Sequence, residues 1–311
     1  MCDLSAQPSR YRGRFAPSPT GPLHFGSLVT AVGSYLEARS RGGEWLVRIE
    51  DIDTPRVVAG AADQILRMLE ACGMYWDGEV VYQSRRYDAY QDALHALQGE
   101  GWLYPCICSR QQIAASAMLG RDGSIYPGTC RHRLIMAHGS RYALRVRTRN
   151  EVIRYHDALQ GHIQLNLERE IGDFILYRVD GIYAYQLAVV VDDAWQGITH
   201  VVRGVDLLFS TLRQIYLQQL LNYHTPDYLH LPLVVDAQGR KLSKQTQAEP
   251  VTLDHRLLSL VTALRFLGQD VPDALLQGNI DSFWQWAIAN WQRKRIPKNL
   301  FKIALKGALP R

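Results

Sequence analysis

The stretch RFAPSPTGPLHFGSL, Arg14 to Leu28, decides how the rest of the chain is read. Before it stands a short strand signal, "GRFA", broken by Pro17. After it, Leu28, Val32, Tyr35 and Leu36 recur at helical spacing, so Ser27 to Arg41 reads as a helix that stops at Gly42-Gly43. "EWLVRIE", Glu44 to Glu50, then reads as a second strand. Strand, helix and strand make a βαβ unit, which implies parallel strands and a right-handed crossover. Open parallel sheets bind ligands at the carboxyl ends of their strands, where this loop lies. Its prolines fix one backbone shape, and Gly21 and Gly26 let a ligand approach the main chain closely. Free N–H groups and the dipole at the helix start favour phosphate, and His24 stands there as a donor. A helix cap or a packed side chain is the plainer role for a lone histidine. The loop is neither G-x-G-x-x-G nor G-x-x-x-x-G-K-[ST], so neither a dinucleotide fold nor a P-loop enzyme is supported.

Working outward, helical patterns cover Ala59–Ala71 and Arg85–Leu97. The character changes after Trp102, where three of the five cysteines cluster, followed by the arginine-rich strand "YALRVRTR". "IYAYQLAVVVD" (Ile182–Asp192) and "ITHVVRG" (Ile198–Gly204) read as strands, with a helix from Asp206 to Leu221. "YLHLPLVVDAQGRKLSKQ" reads as a strand and a Gly-containing turn ahead of a lysine loop. The remainder is helical and amphipathic, and Trp284, Trp286 and Trp291 there are read as helix packing. The chain of 311 residues is thus an α/β domain interrupted by an insert from roughly 102 to 190, with a helical tail.

Composition narrows the class. With 47% apolar and 21% charged residues, this is an ordinary folded protein without low-complexity segments. The longest apolar run, "LAVVV", is strand-sized, and "MCDLSAQPSR" carries no export signal, so a cytoplasmic location without membrane is expected. The net charge of +5 is modest, but seven arginines and only Glu151 in opposition lie between Arg131 and Arg154. Period two puts Arg145, Arg147 and Arg149 on one face, either a phosphate footprint or a solvated surface. An odd number of cysteines suits no disulfide framework. Cys106, Cys108 and Cys130 lie within twenty-five residues and suggest zinc, although C-x-C is tighter than usual and free thiols are the alternative. His132 is the chemically easier fourth ligand. Cys2 is read as a terminal thiol and Cys72 as a packed helix residue.

Two segments some 220 residues apart, "PSPTGPLHFGS" and "KLSKQ" (Lys241–Gln245), resemble the paired signatures of class I aminoacyl-tRNA synthetases, usually written HIGH and KMSKS. "RIEDIDTPR", "YQSRRYDAY" and "VVDDAWQGITHVVRG" are similar to the glutamyl-tRNA synthetase branch, in the right order over about residues 12 to 245. The departures are Phe25 and Ser27 in the first signature, and Leu242 and Gln245 in the second. Only 66 residues follow Gln245, room for part of a stem-contact region and none for anticodon-binding domains. The chain therefore resembles the short paralogue family, the glutamyl-queuosine tRNA(Asp) synthetases, which share the "KLSKQ" form.

The resemblance implies an α/β fold: a class I synthetase Rossmann-type parallel sheet with an inserted zinc-containing acceptor-type subdomain and a small helical C-terminal region. The expected divisions are 10–101 and 191–245 for the two catalytic halves, 102–190 for the insert and 246–311 for the helical part. It implies ATP-dependent activation of L-glutamate and transfer to queuosine of tRNA(Asp); a monomer is expected, and, with no anticodon architecture in the sequence, activation that does not require tRNA. A minimal glutamyl-tRNA synthetase and a non-catalytic RNA-binding paralogue are the alternatives. It implies His24 and Lys244 as catalytic residues, and His24, Gly26, Lys241 and Lys244 as the ATP site, with Mg²⁺. For glutamate it implies Arg14, Arg203 and Tyr185 at the side-chain carboxylate, Glu50 at the ammonium and Ser18 nearby, with Asp193 in support. It implies one structural Zn²⁺ held by Cys106, Cys108, Tyr126 and Cys130.

Overall fold

The computed structural model describes residues 10–121, 123–133, 141–236 and 250–303. The expected βαβ unit opens it. Strands β1 (Arg12–Phe15) and β2 (Glu44–Ile49) run parallel, joined by α1 (Phe25–Arg39), with Arg14 opposite Leu46. The loop between β1 and α1 turns at Gly21, whose φ of 140° disfavours any residue with a Cβ. Then come α2 (Ala61–Ala71), β3 (Val81–Tyr82), which extends the sheet parallel to β2, and α3 (Tyr87–Gly99).

The next region begins with β4 (Leu103–Cys106), α4 (Arg110–Ser116) and a small hairpin of β5 (Leu119–Gly120) and β6 (Gly123–Ser124). It continues with β7 (Ala143–Val146), β8 (Val152–Asp157), β9 (Gly161–Asn166), α5 (Leu167–Glu170) and β10 (Phe174–Tyr177). Strands β10, β7 and β4 form an antiparallel sheet of their own.

Ile182–Asp192, expected to be a strand, is part of a helix, α6 (Tyr185–Trp195). Leu187 to Asp193 are all buried, so the helix is covered on every side. A run that is apolar all round carries no period, and only length separates a buried helix from a buried strand. The expected boundary at 190 falls inside this helix. After it come β11 (His200–Gly204), α7 (Ser210–Leu220), β12 (Asp227–Leu231), β13 (Leu233–Val235), α8 (Arg256–Phe266), α9 (Ile280–Asn290) and β14 (Phe301–Ile303), which pairs with β13.

β11 pairs in parallel with β12, and β12 with β8. The two halves of the fold meet where β1 lies beside β11, with the Thr199 N–H donating to the Arg12 carbonyl at 2.9 Å. From this junction the order runs β1-β2-β3 one way and β11-β12-β8-β9 the other, a topological switch point. Alternation along β11 and β12 divides the core. Val202 and Leu229 face α1 and α8, whereas Val201 and Tyr228 face α6 and α7. A largely parallel sheet covered on both faces follows, with β9 antiparallel to β8 at its edge. The tail belongs to the first of these cores through Leu260, Phe266 and Phe283. Its tryptophans pack as expected: Trp284 Nε1 donates to the Cys72 carbonyl at 2.7 Å and Trp291 Nε1 to Glu37 at 2.8 Å. Cys72 is itself buried at the end of α2. Among the described residues no helix is long and apolar enough to cross a membrane.

Candidate active site and thiol cluster

A cleft of about 480 Å³ opens at the carboxyl ends of β1 and β11, and Ser18, His24, Gly26, Arg56, Arg203 and Asp206 are among its walls. The switch point leaves this space uncovered because the connections depart to opposite sides. His24 is the N-cap of α1: its Nδ1 accepts from the Ser27 N–H at 3.3 Å, and its Nε2 lies 2.9 Å from Ser27 Oγ. It therefore fills the cap role and also faces the cleft. Lys241 and Lys244 lie outside the described residues. Pro250 bridges with His24, and the Val251 N–H donates to the Leu23 carbonyl. Pro250 and Val251 are thus tied to the edge of the cleft at which the first signature stands.

Behind the cleft lies a buried charge network. Arg14 is 3% exposed and grips Asp193 of α6 through Nε and Nη2, at 3.0 and 3.3 Å. Arg48 of β2 is fully buried, 2.7 Å from the same carboxylate and 3.5 Å from Glu50. Burial opposes the charge on Asp193, yet Arg14 and Arg48 hold its carboxyl below the ordinary range. Glu50 is different. Its side chain is 8% exposed, and Oε1 has no hydrogen-bond partner among the described residues. Burial lifts it to about 7, with Arg48 and Arg14 pulling the other way. Neighbouring Asp192 accepts from Gln83 (2.8 Å), Arg86 (2.6 Å) and Tyr90 (2.7 Å), fixing α6 against α3.

Arg203, near the end of β11, is 4% exposed. It donates to Thr211 Oγ1 and Gln214 Oε1 of α7 at 2.7 and 2.8 Å, to His230 at 3.1 Å and to the Tyr185 hydroxyl at 3.4 Å. Arg14 of β1, Arg203 of β11 and Glu50, the residue after β2, all act electrostatically on Tyr185 of α6. Arg48, Asp192, Asp157 and His230 were not singled out from the sequence. For Arg48, Asp192 and His230 the signal was there, since a charged or polar residue in an otherwise apolar run has to find a buried partner; Asp157, after Arg154 and His156, gave none.

The cysteine cluster also assembles. The sulfurs of Cys106, Cys108 and Cys130 lie within 4.8 Å of one another and could hold a metal ion. Tetrahedral bonds of about 2.3 Å to zinc would set sulfurs about 3.8 Å apart, so the donor set fits. The Tyr126 hydroxyl lies 3.4 Å from Cys106 Sγ and from Cys108 Sγ, and accepts from the Cys130 N–H at 2.8 Å. His132 is exposed.

Arg145, Arg147 and Arg149 do share a face, but that face covers aromatic rings. Their guanidiniums stack over Tyr126, Tyr104 and Trp102 at 3.9, 4.7 and 4.2 Å from the ring centroids. Arg145 is buried and Arg131 pairs with the buried Asp173, whereas Arg133, Arg141, Arg149 and Arg154 are exposed. Asp173 also accepts from Thr148 and from Tyr104, which fastens the thiol-bearing segment to β7.

Residues 10–262 match the family described as tRNA synthetases class I (E and Q), catalytic domain. A protein of Dechloromonas aromatica named glutamyl-Q tRNA(Asp) synthetase is 56% identical over 292 residues, covering 93% of this chain and 97% of its own. One of the same name from Chromobacterium violaceum is 54% identical over 295 residues, covering 95% and 98%. Among solved structures, a glutamate tRNA ligase from Elizabethkingia meningosepticum shares the fold with a TM-score of 0.79 at 24% identity, over 96% of this chain and 68% of that one. The chain belongs to the class I tRNA synthetases (E and Q), and within them to the glutamyl-Q tRNA(Asp) synthetase family.

Proposed function

We propose that this protein activates L-glutamate with ATP and transfers it to queuosine in the anticodon loop of tRNA(Asp). The observation that carries the reading is identity above 50% to proteins of that name over nearly the whole of both chains. In the first step the α-carboxylate of glutamate attacks the α-phosphorus of ATP. The bond to the β-phosphate breaks, leaving glutamyl adenylate and pyrophosphate. In the second step a hydroxyl of queuosine attacks the acyl carbon, and AMP departs with the bonding electrons.

Little covalent work falls to the protein, so its contribution is position and charge. Arg14, Arg203 and Tyr185 receive the side-chain carboxylate, and Ser18 stands at the mouth of the same cleft. The ammonium group meets Glu50, whose buried Oε1 has no hydrogen-bond partner among the described residues and has Arg48 Nη2 at 3.5 Å as its nearest cation. His24, Gly26, Lys241 and Lys244 steady the triphosphate, with His24 and Lys244 acting as charge builds. Mg²⁺ bound with ATP supplies further neutralisation of the phosphates. One structural Zn²⁺ is held by Cys106, Cys108, Cys130 and Tyr126, and the clustering of the three sulfurs around the phenol oxygen supports that set. The insert serves as an acceptor-type RNA-contacting subdomain, in a cytoplasmic monomer.

The test is the acceptor. Labelled glutamate is offered to tRNA(Asp) with and without queuosine, and with the 3′-terminal adenosine removed. Incorporation that needs queuosine and survives loss of the terminal adenosine is expected. Incorporation that needs the adenosine and ignores queuosine overturns the reading in favour of 3′-terminal charging. Glutamate-dependent pyrophosphate exchange without tRNA is also expected, and none under any condition leaves a non-catalytic protein.

A further inference from the structure

We infer that His230 and Asp157 are positioning residues, which orient Arg203 so that one edge of its guanidinium is presented to the side-chain carboxylate of glutamate. The inference rests on the proposed role of Arg203. His230 of β12 stands directly opposite Arg203 of β11 and is wholly buried. Its Nδ1 lies 2.6 Å from Asp157 Oδ2, at the end of β8, and its Nε2 lies 3.1 Å from Arg203 Nε.

The proton positions follow from the donor inventory. A carboxylate only accepts, so the imidazole proton sits on Nδ1. A guanidinium only donates, so Nε2 has to offer a lone pair. Both conditions hold only for the neutral Nδ1–H tautomer. Thr211 Oγ1 is also 3.1 Å from Nε2, but its proton is directed to the Leu207 carbonyl at 3.1 Å, which leaves the lone pair to Arg203. Asp157 is fixed in turn by the Leu159 and Gln160 N–H groups, both on Oδ1. Burial drives His230 down to about 4, in keeping with a neutral ring.

Counting the five N–H bonds of Arg203 shows what this achieves. Nε is taken by His230, and both hydrogens of Nη2 by Thr211 and Gln214. Gln214 is held in that sense because its own amide nitrogen donates to Gln186 at 2.9 Å. Among the described residues this leaves Nη1 for the Tyr185 hydroxyl, with Arg203 itself lining the cleft. The carboxylate is therefore read by Nη1 together with Tyr185, rather than by the full fork.

Asp157→Asn tests the chain of bonds with one atom changed. Oδ1 has to keep accepting from Leu159 and Gln160, so the amide NH₂ faces His230 Nδ1. The ring then moves its proton to Nε2, and two N–H groups oppose each other at Arg203, the wrong-tautomer logic familiar from catalytic triads. Nitrogen chemical shifts of labelled histidine should report Nδ1–H in the unaltered protein and Nε2–H in Asp157→Asn. In glutamate-dependent pyrophosphate exchange, Asp157→Asn and His230→Ala should raise KM for glutamate by about tenfold or more, with KM for ATP nearly unchanged. His230→Gln restores an acceptor near Nε2 and should recover most of the loss, a comparison that holds even if the alanine variant folds poorly. A flipped tautomer with an unaltered glutamate KM overturns the inference. So does an equal rise in both KM values, or no recovery in His230→Gln. An unaltered protein that shows no exchange refutes the proposed function instead, while the tautomer measurement still decides whether the hydrogen-bond chain exists.

Discussion

Replacing Glu50 by glutamine separates stability from substrate binding at a single carboxyl. Burial raises Glu50 from 4.5 to about 7, so the folded protein holds a proton there that the unfolded chain releases. The sign follows from linkage: the contribution is most favourable below 4.5 and is lost as pH climbs through 7. At about 1.4 kcal/mol per pH unit, the ionised carboxyl costs up to about 3 kcal/mol at pH 8 and under about 1 kcal/mol at pH 5. Glu50→Gln removes the charge and keeps the shape. Its melting temperature should exceed that of the unaltered protein by several degrees at pH 8, with the gap nearly closed at pH 5. Glutamate binding should move the opposite way. On the proposed role, Glu50 has to ionise to meet the ammonium group, so kcat/KM for glutamate in pyrophosphate exchange rises with pH and levels above about 7. Glu50→Gln should raise KM for glutamate by about tenfold to a hundredfold at pH 8, the loss of one charged hydrogen bond. A variant less stable at every pH, or a gap independent of pH, refutes the argument that burial controls this carboxyl. An unaltered KM refutes its placement against the ammonium.

Asp193→Asn leaves Arg14 and Arg48 buried with too little negative charge, and should cost about 3–5 kcal/mol in urea unfolding; a loss below 1 kcal/mol would show that the network tolerates the imbalance. Cys106→Ser and Cys130→Ser should each lower zinc content measured by atomic emission, and undiminished zinc in both removes the assignment. Glu37, fully buried on α1, accepts from Arg293 and Trp291, so Glu37→Ala should free the segment after α9. Faster amide exchange around residues 291–296 is the expected readout, and unaltered exchange there would contradict it.

Much of the site could be read from local chemistry. The rigid loop, the helix start at His24 and the three thiols are short-range patterns, and each appears where its spacing puts it. The less legible parts share one cause. Seven consecutive buried residues in α6 gave no period to measure, so the helix was read as a strand. Alternation placed three arginines correctly on one face but could not say that Tyr126, Tyr104 and Trp102 would cover it.

The sequence by itself determined the βαβ entry, the cleft-side loop and the thiol set, because turn geometry, helix period and ligand spacing act over a few residues. The tertiary structure decided which charges meet. Arg14 and Asp193 are 179 positions apart, and His230 and Asp157 are 73 apart. A buried ion or imidazole is tolerable only beside a partner that satisfies its hydrogen bonds. Such partners are found across strands and helices brought together by packing, and no local pattern records them.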